Sequence, residues 1–340
     1  MKPHQPLAAR PFTALNRAVA WSFHSGARKR ERLPIPVISV GNLTSGGTGK
    51  TPLTQRLAEW LVQQGRRPAI ALRGYGGTIS PGNAVVSDGK HTLLTAEEAG
   101  DEALVHAGRL PGVPVLIGRD RVASGRQAIA QFDCDVLLLD DGFQYWRLQR
   151  DADLVLIEAQ WLLGERHRRH FPRERLDALQ RAQLVVLTRT ELLDADQRHQ
   201  AHALLARHTT PAACICECTF ESEGLRDIAG QPLHWNGNCR LVAFSALANN
   251  ESFFVAARGQ RVGIAATLGF GDHHRYSAHD LVQLNRLAAE AGATGFLTTE
   301  KDGVKLDTTA LQRPLAVLPI RARLRPEAEF FARLRELITH

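Results

Sequence analysis

The sequence predicts an α/β fold in which helices cover both faces of a parallel sheet, followed by a second, smaller α/β lobe. Two observations lead to this prediction. Short apolar runs of strand length alternate with amphipathic helical patterns along most of the 340 residues. A glycine-rich loop ending in Gly49, Lys50 and Thr51 lies between the first apolar run and the first helical pattern. The predicted fold class is therefore a P-loop NTPase-like sheet sandwiched by helices, with an added lobe.

Residues 1–33 are expected to form a separate N-terminal segment. They carry +6 of the net charge of +7, together with aromatic and aliphatic residues. This mixture predicts an amphipathic helix lying on an anionic membrane surface. The alternative is a helix that packs within the protein, because an apolar stripe alone does not say which apolar surface it meets. Nucleic acid is not an expected partner, since no aromatic-and-basic recognition motif accompanies the charge.

The nucleotide-binding α/β domain is predicted over residues 34–210. Its strands are expected where apolar runs occur, at 36–42, 68–73, 113–118, 135–141, 154–159 and 184–189. Apolar residues at helical spacing predict a helix directly after the glycine loop, and further helices at 97–109, 121–132 and 194–208.

The second α/β lobe is predicted over residues 211–340, where it would close over the active site. Its strands are expected at 212–220, 241–247, 262–268, 295–299 and 315–319, and its helices at 251–258, 278–291 and 326–338. Glycine and proline residues make 221–238 the expected connector.

The five cysteines show no disulfide framework, which favours a reducing intracellular compartment. Cys214, Cys216 and Cys218 alternate along one predicted strand, so their side chains point to the same face. A metal site at these residues is an alternative to plain packing, although no histidine pair at zinc-site spacing follows them. The sequence also has no signal-peptide pattern and no apolar run of about 18 residues, so no membrane-spanning helix is expected.

The glycine-rich loop has the residue types of a phosphate-binding site. Glycines let successive backbone N–H groups turn toward a polyphosphate, Lys50 can reach the β and γ oxygens, and the Thr51 hydroxyl is a Mg²⁺ ligand. The first loop position departs from the usual pattern, because Thr44 stands where glycine is expected. The residues expected to bind nucleotide are Thr44, Ser45, Gly46, Gly47, Thr48, Gly49, Lys50 and Thr51.

Two carboxylates end a buried apolar strand. Asp140 and Asp141 follow the run at 136–139, and Gly142 then turns the chain. Ligands of α/β sheets bind at the carboxyl ends of parallel strands, and phosphate-loop proteins place an acidic Mg²⁺ ligand there. Strand-end acidic residues are often only turn formers, but together with Lys50 and Thr51 they predict a metal site.

Eight short motifs follow one another in a fixed order within residues 30–306. They are the glycine loop at 41–52, Arg-Gly-Tyr-Gly at 73–76, Gly-Asp-Glu at 100–102, Gly-Arg-Asp-Arg at 118–121, Asp-Asp-Gly-Phe-Gln at 140–144, Ala-Phe-Ser at 243–245, Asp-His-His at 272–274 and Thr-Glu-Lys-Asp at 299–302. In this order they resemble the tetraacyldisaccharide 4′-kinase family of lipid A biosynthesis.

The resemblance implies an enzyme that moves the γ-phosphate of ATP to the 4′-hydroxyl of a tetraacylated glucosamine disaccharide 1-phosphate, with Mg²⁺. It implies a peripheral location on the cytoplasmic side of the bacterial inner membrane, where the acyl chains of the substrate lie. It assigns the catalytic base to Asp101, with His273 as its partner and Lys50 on the phosphates. Without the resemblance, Asp101 reads as part of a solvated acidic helix face and His273 as one of 14 histidines.

Four further residues are candidates for the site. Arg119 and Arg121 follow a predicted strand and can bind substrate or phosphate oxygens, although arginines at a helix start are often simply solvated. Tyr75 is a glycine-flanked aromatic residue suited to sugar or lipid contact. Glu174 is a metal-side candidate, but the loop at 164–174 lacks the glycines that the family has there and must follow another path.

Two other functions compete with the kinase. A nucleotide switch of the metal-chaperone or partitioning type would use the same loop and strand-end aspartates, but would dimerise with nucleotide. A membrane-surface protein with a decayed nucleotide site is disfavoured, because Lys50, Thr51, Asp140 and Asp141 are all present.

Overall fold

The strands form two sheets, one of nine strands and one of four. The computed structural model describes residues 16, 18–23, 25–79, 82–164, 172–235 and 238–339. In chain order the strands are β1 (Val37–Asn42), β2 (Pro68–Leu72), β3 (Ala84–Ser87), β4 (Val115–Ile117), β5 (Val136–Asp140), β6 (Ala152–Glu158), β7 (Leu184–Thr188), β8 (Cys214–Ser222), β9 (Arg240–Ser245), β10 (Gly263–Gly269), β11 (Gly295–Thr299), β12 (Leu315–Leu318) and β13 (Ile320–Arg325). The helices are α1 (Lys50–Gln63), α2 (Ala96–Ala99), α3 (Asp101–Arg109), α4 (Arg121–Phe132), α5 (Ala159–Leu162), α6 (Ala195–His208), α7 (Asn250–Arg258), α8 (Ala278–Glu290), α9 (Glu300–Gly303) and α10 (Glu327–Ile338).

The larger sheet has the strand order β13-β8-β7-β6-β1-β5-β2-β4-β3. Strands β8 to β4 of this order run parallel, and the outermost pairs, β13 with β8 and β3 with β4, are antiparallel. Every residue of β1, β2, β5, β6 and β7 is buried. Strands covered by helices on both faces need apolar residues at nearly every position, so the predicted α/β fold class is confirmed.

Strand β1 lies between β6 and β5 at the centre of this sheet. Val40 of β1 is opposite Asp140 of β5. Because the two strands are parallel, their carboxyl ends meet at the same edge of the sheet. The glycine loop after β1 and the two aspartates after β5 are thereby placed next to each other.

The smaller sheet has the order β10-β9-β11-β12, and its strands are parallel. Apolar clusters cover both of its faces, one including Phe253 and Phe254 of α7 and the other including Leu281 and Leu284 of α8. This is the predicted second α/β lobe. Its sheet lies between residues 240 and 318.

The prediction that residues 211–340 form the second lobe is wrong at both ends of that range. Strand β8 pairs with β7 in the larger sheet, and β13 pairs with β8. The last helix, α10, packs on α1, where the rings of Phe331 and Trp60 stack with centroids 4.6 Å apart. The chain therefore enters the smaller lobe after β8 and returns to the larger sheet at β13, because the apolar faces of β13 and α10 complete the core of the larger domain.

The N-terminal segment is described at residues 16, 18–23 and from 25 onward, so the predicted membrane-surface helix lies largely outside the described residues. Asn16 Nδ2 donates to the Arg173 carbonyl at 3.0 Å, and the Trp21 side chain is 69% exposed. None of the described helices combines the length and the hydropathy that a membrane crossing requires.

The cysteines of β8 belong to the core of the larger domain. Cys216 and Cys218 are buried within the main apolar cluster, and Cys214 packs against it. Burial raises the pKa of the Cys218 thiol to about 12, so it is a neutral apolar group at ordinary pH. The part of the chain that is described contains no group of three or more His, Cys, Asp or Glu residues suited to a metal ion. The alternative of a cysteine metal site is therefore wrong, and the cysteines are packing residues.

Candidate active site

The glycine loop connects β1 to α1, which begins at Lys50. Within it, Asn42 Nδ2 donates to Thr48 Oγ1 at 2.9 Å in a buried hydrogen bond, and Thr48 N donates to the Gly46 carbonyl at 3.0 Å. These contacts fix the path of the loop from inside the sheet. The predicted nucleotide-binding residues, 44–51, thus form one continuous turn at the carboxyl edge of β1.

Gly49 is required at the last position of the loop. Its φ is +89°, a left-handed conformation that side chains disfavour. An added Cβ would lie 1.9 Å from the Phe220 ring of β8. Phe220 therefore packs directly against the turn that precedes Lys50, and the sequence pattern gave no sign of this contact.

Asp141 lies between two cations of the site. Lys50 Nζ is 3.6 Å from Asp141 Oδ1, and Arg173 Nη1 donates to both carboxylate oxygens, at 2.7 and 2.8 Å. Burial opposes ionisation, but the charges of Lys50 and Arg173 outweigh it and lower the pKa of the Asp141 carboxyl. Asp141 is thus an anion held between Lys50 and Arg173 at the end of the glycine loop.

Asp140 has a different partner, the fully buried side chain of His106. His106 Nε2 is 2.8 Å from Asp140 Oδ2, and Asp140 is 2% exposed. The other oxygen, Asp140 Oδ1, is buried and has no hydrogen-bond partner among the residues that the structure describes. One oxygen of this carboxylate therefore contacts an imidazole, and the other makes no hydrogen bond within the described chain.

Glu174 reaches the loop from the other side. Arg173 N and Glu174 N donate to the Leu43 carbonyl at 2.7 and 3.3 Å, which ties this segment to the start of the glycine loop. The Glu174 carboxylate accepts from Arg181 at 2.9 and 3.1 Å and from Gln144 Nε2 at 3.0 Å. Both of its oxygens are engaged, and its metal-side role stays a prediction. Residues 165–171 of the altered loop lie outside the described residues.

Asp101 and His273 meet across the two lobes, as the resemblance implies. Asp101 is the first residue of α3, and His273 lies in the loop after β10, with a φ of +57°. His273 Nδ1 is 3.1 Å from Asp101 Oδ2. Gly100, with φ +87°, lets the start of α3 lie against the Tyr75 backbone, since a Cβ there would lie 2.4 Å from the Tyr75 carbonyl oxygen.

The Asp101 carboxylate is 5% exposed and faces several cations. Lys305 Nζ is 3.8 Å and Lys301 Nζ 4.0 Å from its Oδ2 atom. Burial raises the pKa of Asp101, but the hydrogen bond from His273 and the Lys301 charge more than offset it, so the net shift is downward. The group is a carboxylate at neutral pH and can accept a proton.

Glu102 links this pair to the glycine loop. Burial and the neighbouring charge of Asp140 raise the pKa of Glu102, while the charges of Lys301 and Lys50 oppose this shift. The charges of Asp140, Lys50 and Lys301 therefore all influence the ionisation of this one side chain.

The three residues predicted to bind substrate differ in their exposure and in the part of the site where they lie. Tyr75 is 65% exposed, and its ring meets the His273 ring edge-on, with centroids 5.5 Å apart. Arg121 is buried, and burial lowers its pKa, an effect that the charge of Asp141 opposes. Arg119 is exposed beside it. The structure brings Tyr75 to the Asp101 end of the site and Arg121 to the Asp141 end.

Several residues of the site were missed at the sequence level. His106, Glu102, Arg173, Gln144, Lys301 and Lys305 all contact or act on predicted site residues. Lys301 belongs to the motif at 299–302, Glu102 to that at 100–102 and Gln144 to that at 140–144, so motif membership was a usable signal for these three. His106 belongs to none of the motifs. Its contact with Asp140 depends on how α3 packs beside the end of β5.

Comparisons with known proteins identify the family that this chain resembles over nearly its whole length. The family model described as "Tetraacyldisaccharide-1-P 4′-kinase" matches residues 5–339. A tetraacyldisaccharide 4′-kinase from Pelobacter propionicus is 38% identical over 322 residues, which cover 92% of this chain and 85% of the relative. One from Geobacter sulfurreducens is 39% identical over 324 residues, covering 91% and 88%. The crystal structure of LpxK from Aquifex aeolicus in complex with ATP has a TM-score of 0.78 and 27% identity, covering 97% of each chain.

Proposed function

The chain belongs to the tetraacyldisaccharide-1-P 4′-kinase family, and from this premise we propose how its own residues perform the transfer. The reaction moves the γ-phosphate of ATP to the 4′-hydroxyl of a tetraacylated glucosamine disaccharide 1-phosphate in lipid A biosynthesis. Phosphoryl transfer needs little covalent help from the protein and much positioning and charge stabilisation. The nucleotide-switch alternative is not favoured.

We assign the triphosphate to the glycine loop, with Lys50 on the β and γ oxygens. Asp141, held by Arg173, fixes the Lys50 ammonium at the start of α1. Buried Arg121 is well placed by charge to meet a phosphate oxygen, because its guanidinium is near Asp141 and is hydrogen-bonded only weakly, to the Arg119 carbonyl at 3.3 Å. Together these cations offset the negative charge of the transferring group.

Thr51, Asp140 and Asp141 are the residues that would hold Mg²⁺, with Glu174 as a further candidate. Asp140 supports this fit, since its Oδ1 atom is buried and without a hydrogen-bond partner in the described chain. Proteins usually bind Mg²⁺ through one or two carboxylates together with substrate phosphates, which this donor set matches. When bound, the ion supplies charge neutralisation at the phosphates.

Asp101 is the group that receives the proton of the attacking hydroxyl. The observation that carries this proposal is the 3.1 Å contact from His273 Nδ1 to Asp101 Oδ2, which joins the lobes at the site. A carboxylate oriented by an imidazole keeps its acceptor atom in place and shares the positive character that follows proton transfer. Tyr75, exposed beside His273, is placed to contact the sugar or its acyl chains.

The enzyme meets its lipid substrate at the cytoplasmic face of the inner membrane. The N-terminal segment supports this location, because it holds most of the net positive charge, and Asn16 connects it to Arg173 at the site. Exposed Trp21 adds an amphipathic side chain suited to the interface. Binding should require anionic lipid and weaken at high salt, which flotation with anionic and zwitterionic vesicles measures.

The kinase assignment is tested by transfer of labelled γ-phosphate from Mg-ATP to a tetraacyldisaccharide 1-phosphate in mixed micelles. Asp101→Asn should lower kcat by about 10² to 10⁴ while ATP binding persists, because the base alone is lost. Lys50→Met should lose ATP binding as well. Asp133→Asn is a matched control, since Asp133 is exposed at the end of α4.

An Asp101→Asn enzyme with undiminished kcat would overturn the base assignment. A folded wild-type protein that binds ATP and yields no labelled lipid would overturn the reaction itself.

A further inference from the structure

The Thr-Glu-Lys-Asp motif at 299–302 has a defined place in the fold that the proposed mechanism does not use. It ends β11 and forms the short helix α9. Thr299 Oγ1 accepts from Asp302 N at 3.0 Å, and fully buried Asp302 accepts from Ala246 N at 3.0 Å. Lys301 projects from this fixed turn toward the other lobe.

The Lys301 ammonium lies against the outer nitrogen of His273. The distance from Lys301 Nζ to His273 Nε2 is 3.1 Å, and the opposite ring nitrogen, Nδ1, is 3.1 Å from Asp101 Oδ2. Asp272 and Asp101 lie 3.8 and 4.0 Å from the same Nζ atom, so Lys301 also pairs with two carboxylates. The imidazole is thus held between a cation and an anion.

A charged ammonium has hydrogens to donate and no lone pair to accept with. It can hydrogen-bond His273 only if Nε2 is unprotonated, and a neutral ring then carries its hydrogen on Nδ1. That hydrogen points to Asp101 Oδ2. The contacts on the two nitrogens are therefore mutually consistent with one tautomer.

We propose that Lys301 is a positioning residue that holds His273 as the neutral Nδ1–H tautomer, so that His273 donates to Asp101 and leaves it an unprotonated base. The proposal rests on the proposed role of Asp101. Without Lys301, the imidazole can take a second proton and form an ion pair with Asp101. A carboxylate paired with an imidazolium is a weaker base, so the hydroxyl proton is accepted less readily.

Several charged groups surround the Asp101–His273 pair. Asp101 faces His273, Lys301, Lys305 and the adjacent Glu102. Lys305 differs from Lys301 because its Nζ pairs with Asp302 Oδ1 at 2.8 Å and donates to the His274 carbonyl at 3.1 Å. Lys305 anchors the turn, whereas Lys301 meets the imidazole.

The kinetic test compares Lys301→Met, Lys301→Arg and the exposed-lysine control Lys90→Met. Lys301→Met should lower kcat roughly 10- to 100-fold, as removal of a partner that orients a functional group does. The KM for ATP should not change, because the glycine loop is intact. The fall of kcat at acidic pH should begin at higher pH than in the wild type, because His273 loses the donor that keeps Nε2 unprotonated.

Lys301→Arg should keep the wild-type dependence of kcat on pH at the acidic side of the profile, because a guanidinium is also a pure hydrogen-bond donor. Lys90→Met should match the wild type throughout. A Lys301→Met enzyme with wild-type kcat and pH profile would overturn the proposal, and so would an arginine variant whose pH profile moves as far as that of the methionine variant.

The tautomer is measured directly by ¹⁵N NMR of imidazole-labelled enzyme without substrates, with His273→Gln identifying the signal. The wild type should show a protonated Nδ1 and an unprotonated Nε2, and Lys301→Met should lose this pattern. A wild-type signal from the opposite tautomer would overturn the proposal. If Asp101→Asn stayed active while the NMR pattern held, the base assignment would fail and the tautomer assignment would survive.

Discussion

The three aspartates that line the site carry the same carboxylate but face different partners. Asp140 is held by His106, Asp141 by Lys50 and Arg173, and Asp101 by His273. Environment, rather than residue type, divides their roles, as in other enzymes that use several carboxylates. The same reasoning leads to predictions for single substitutions.

Asp101 should make stability depend on pH in a defined direction. Because its pKa in the folded protein is lowered, the carboxylate stabilises the fold above the unfolded value of about 3.9, and this contribution is lost as the pH falls through the folded value. Asp101→Asn should therefore reduce the free energy of unfolding at pH 7, and the difference between the two proteins should shrink as the pH falls below about 3.9. Urea unfolding of both proteins across this range measures it; a difference that grows as the pH falls would contradict the prediction.

His106→Leu should destabilise the protein, because it leaves Asp140 buried without its imidazole partner. The expected loss is about 1 to 3 kcal/mol in the free energy of unfolding, the cost of an unsatisfied buried polar group. A double-mutant cycle with Asp140→Asn separates this pairwise effect from lost packing. Strictly additive effects of the two substitutions would show that the contact contributes nothing.

At this scale, the sequence identified residues that belong to motifs and missed those that act through packing. Lys50, Asp140 and Asp141 were found because the chemistry of a phosphate loop requires them next to known strand ends. His106 was missed since nothing local distinguishes it from other histidines. Its contact with Asp140 exists only once α3 crosses the edge of β5.

Among the elements, the turn from β1 into α1 depends on a strand distant in sequence. Gly49→Ala should destabilise the protein by about 1 to 3 kcal/mol and weaken ATP binding, because the new methyl meets the Phe220 ring and the residue must keep a positive φ. Thermal unfolding and ATP calorimetry measure the two effects. Adding Phe220→Ala should recover part of the stability, whereas no recovery would attribute the whole loss to backbone strain.

The central strands were predicted, and the returning strand was not. The strands β5 and β7 are apolar up to their last residue, and β1 is interrupted by Ser39 before it ends in Gly41 and Asn42, so their burial could be expected from mainly apolar composition. In β13, arginines occupy every second position, at 321, 323 and 325, and only Ala322 and Leu324 face the core. This alternation is typical of a half-buried strand, but the strand was not predicted, and its pairing with β8 is a long-range choice that local patterns do not encode.

On the scale of the whole molecule, the active site is assembled by contacts between the lobes. Besides the Asp101–His273 pair, Arg109 of α3 is ion-paired with Glu223 and lies 3.8 Å from Glu300 of α9. Arg275 donates to the Gly76 carbonyl at 2.7 Å. The glycine loop belongs entirely to the larger domain, so closure should affect transfer more than nucleotide binding.

Arg109→Met should therefore lower kcat by about tenfold or more, because the partner lobe is held less firmly and His273 is misplaced. ATP affinity, measured by calorimetry without lipid, should not change. Arg286→Met is a matched control, since Arg286 is exposed on α8 and pairs locally with Glu290. Parallel losses of kcat and ATP affinity would show that Arg109 supports the larger domain instead.

The antiparallel ladder of β8 and β13 limits how the smaller lobe can move. Ser222, where the chain leaves the larger sheet, pairs directly with Ile320, where it returns. The lobe is thus an insertion into a single hairpin, attached by two adjacent strands rather than by two separate linkers. Such an attachment favours rotation about one axis, which acts as a hinge with a single degree of freedom. We expect each closure to follow the same arc and to return His273 to the same carboxylate.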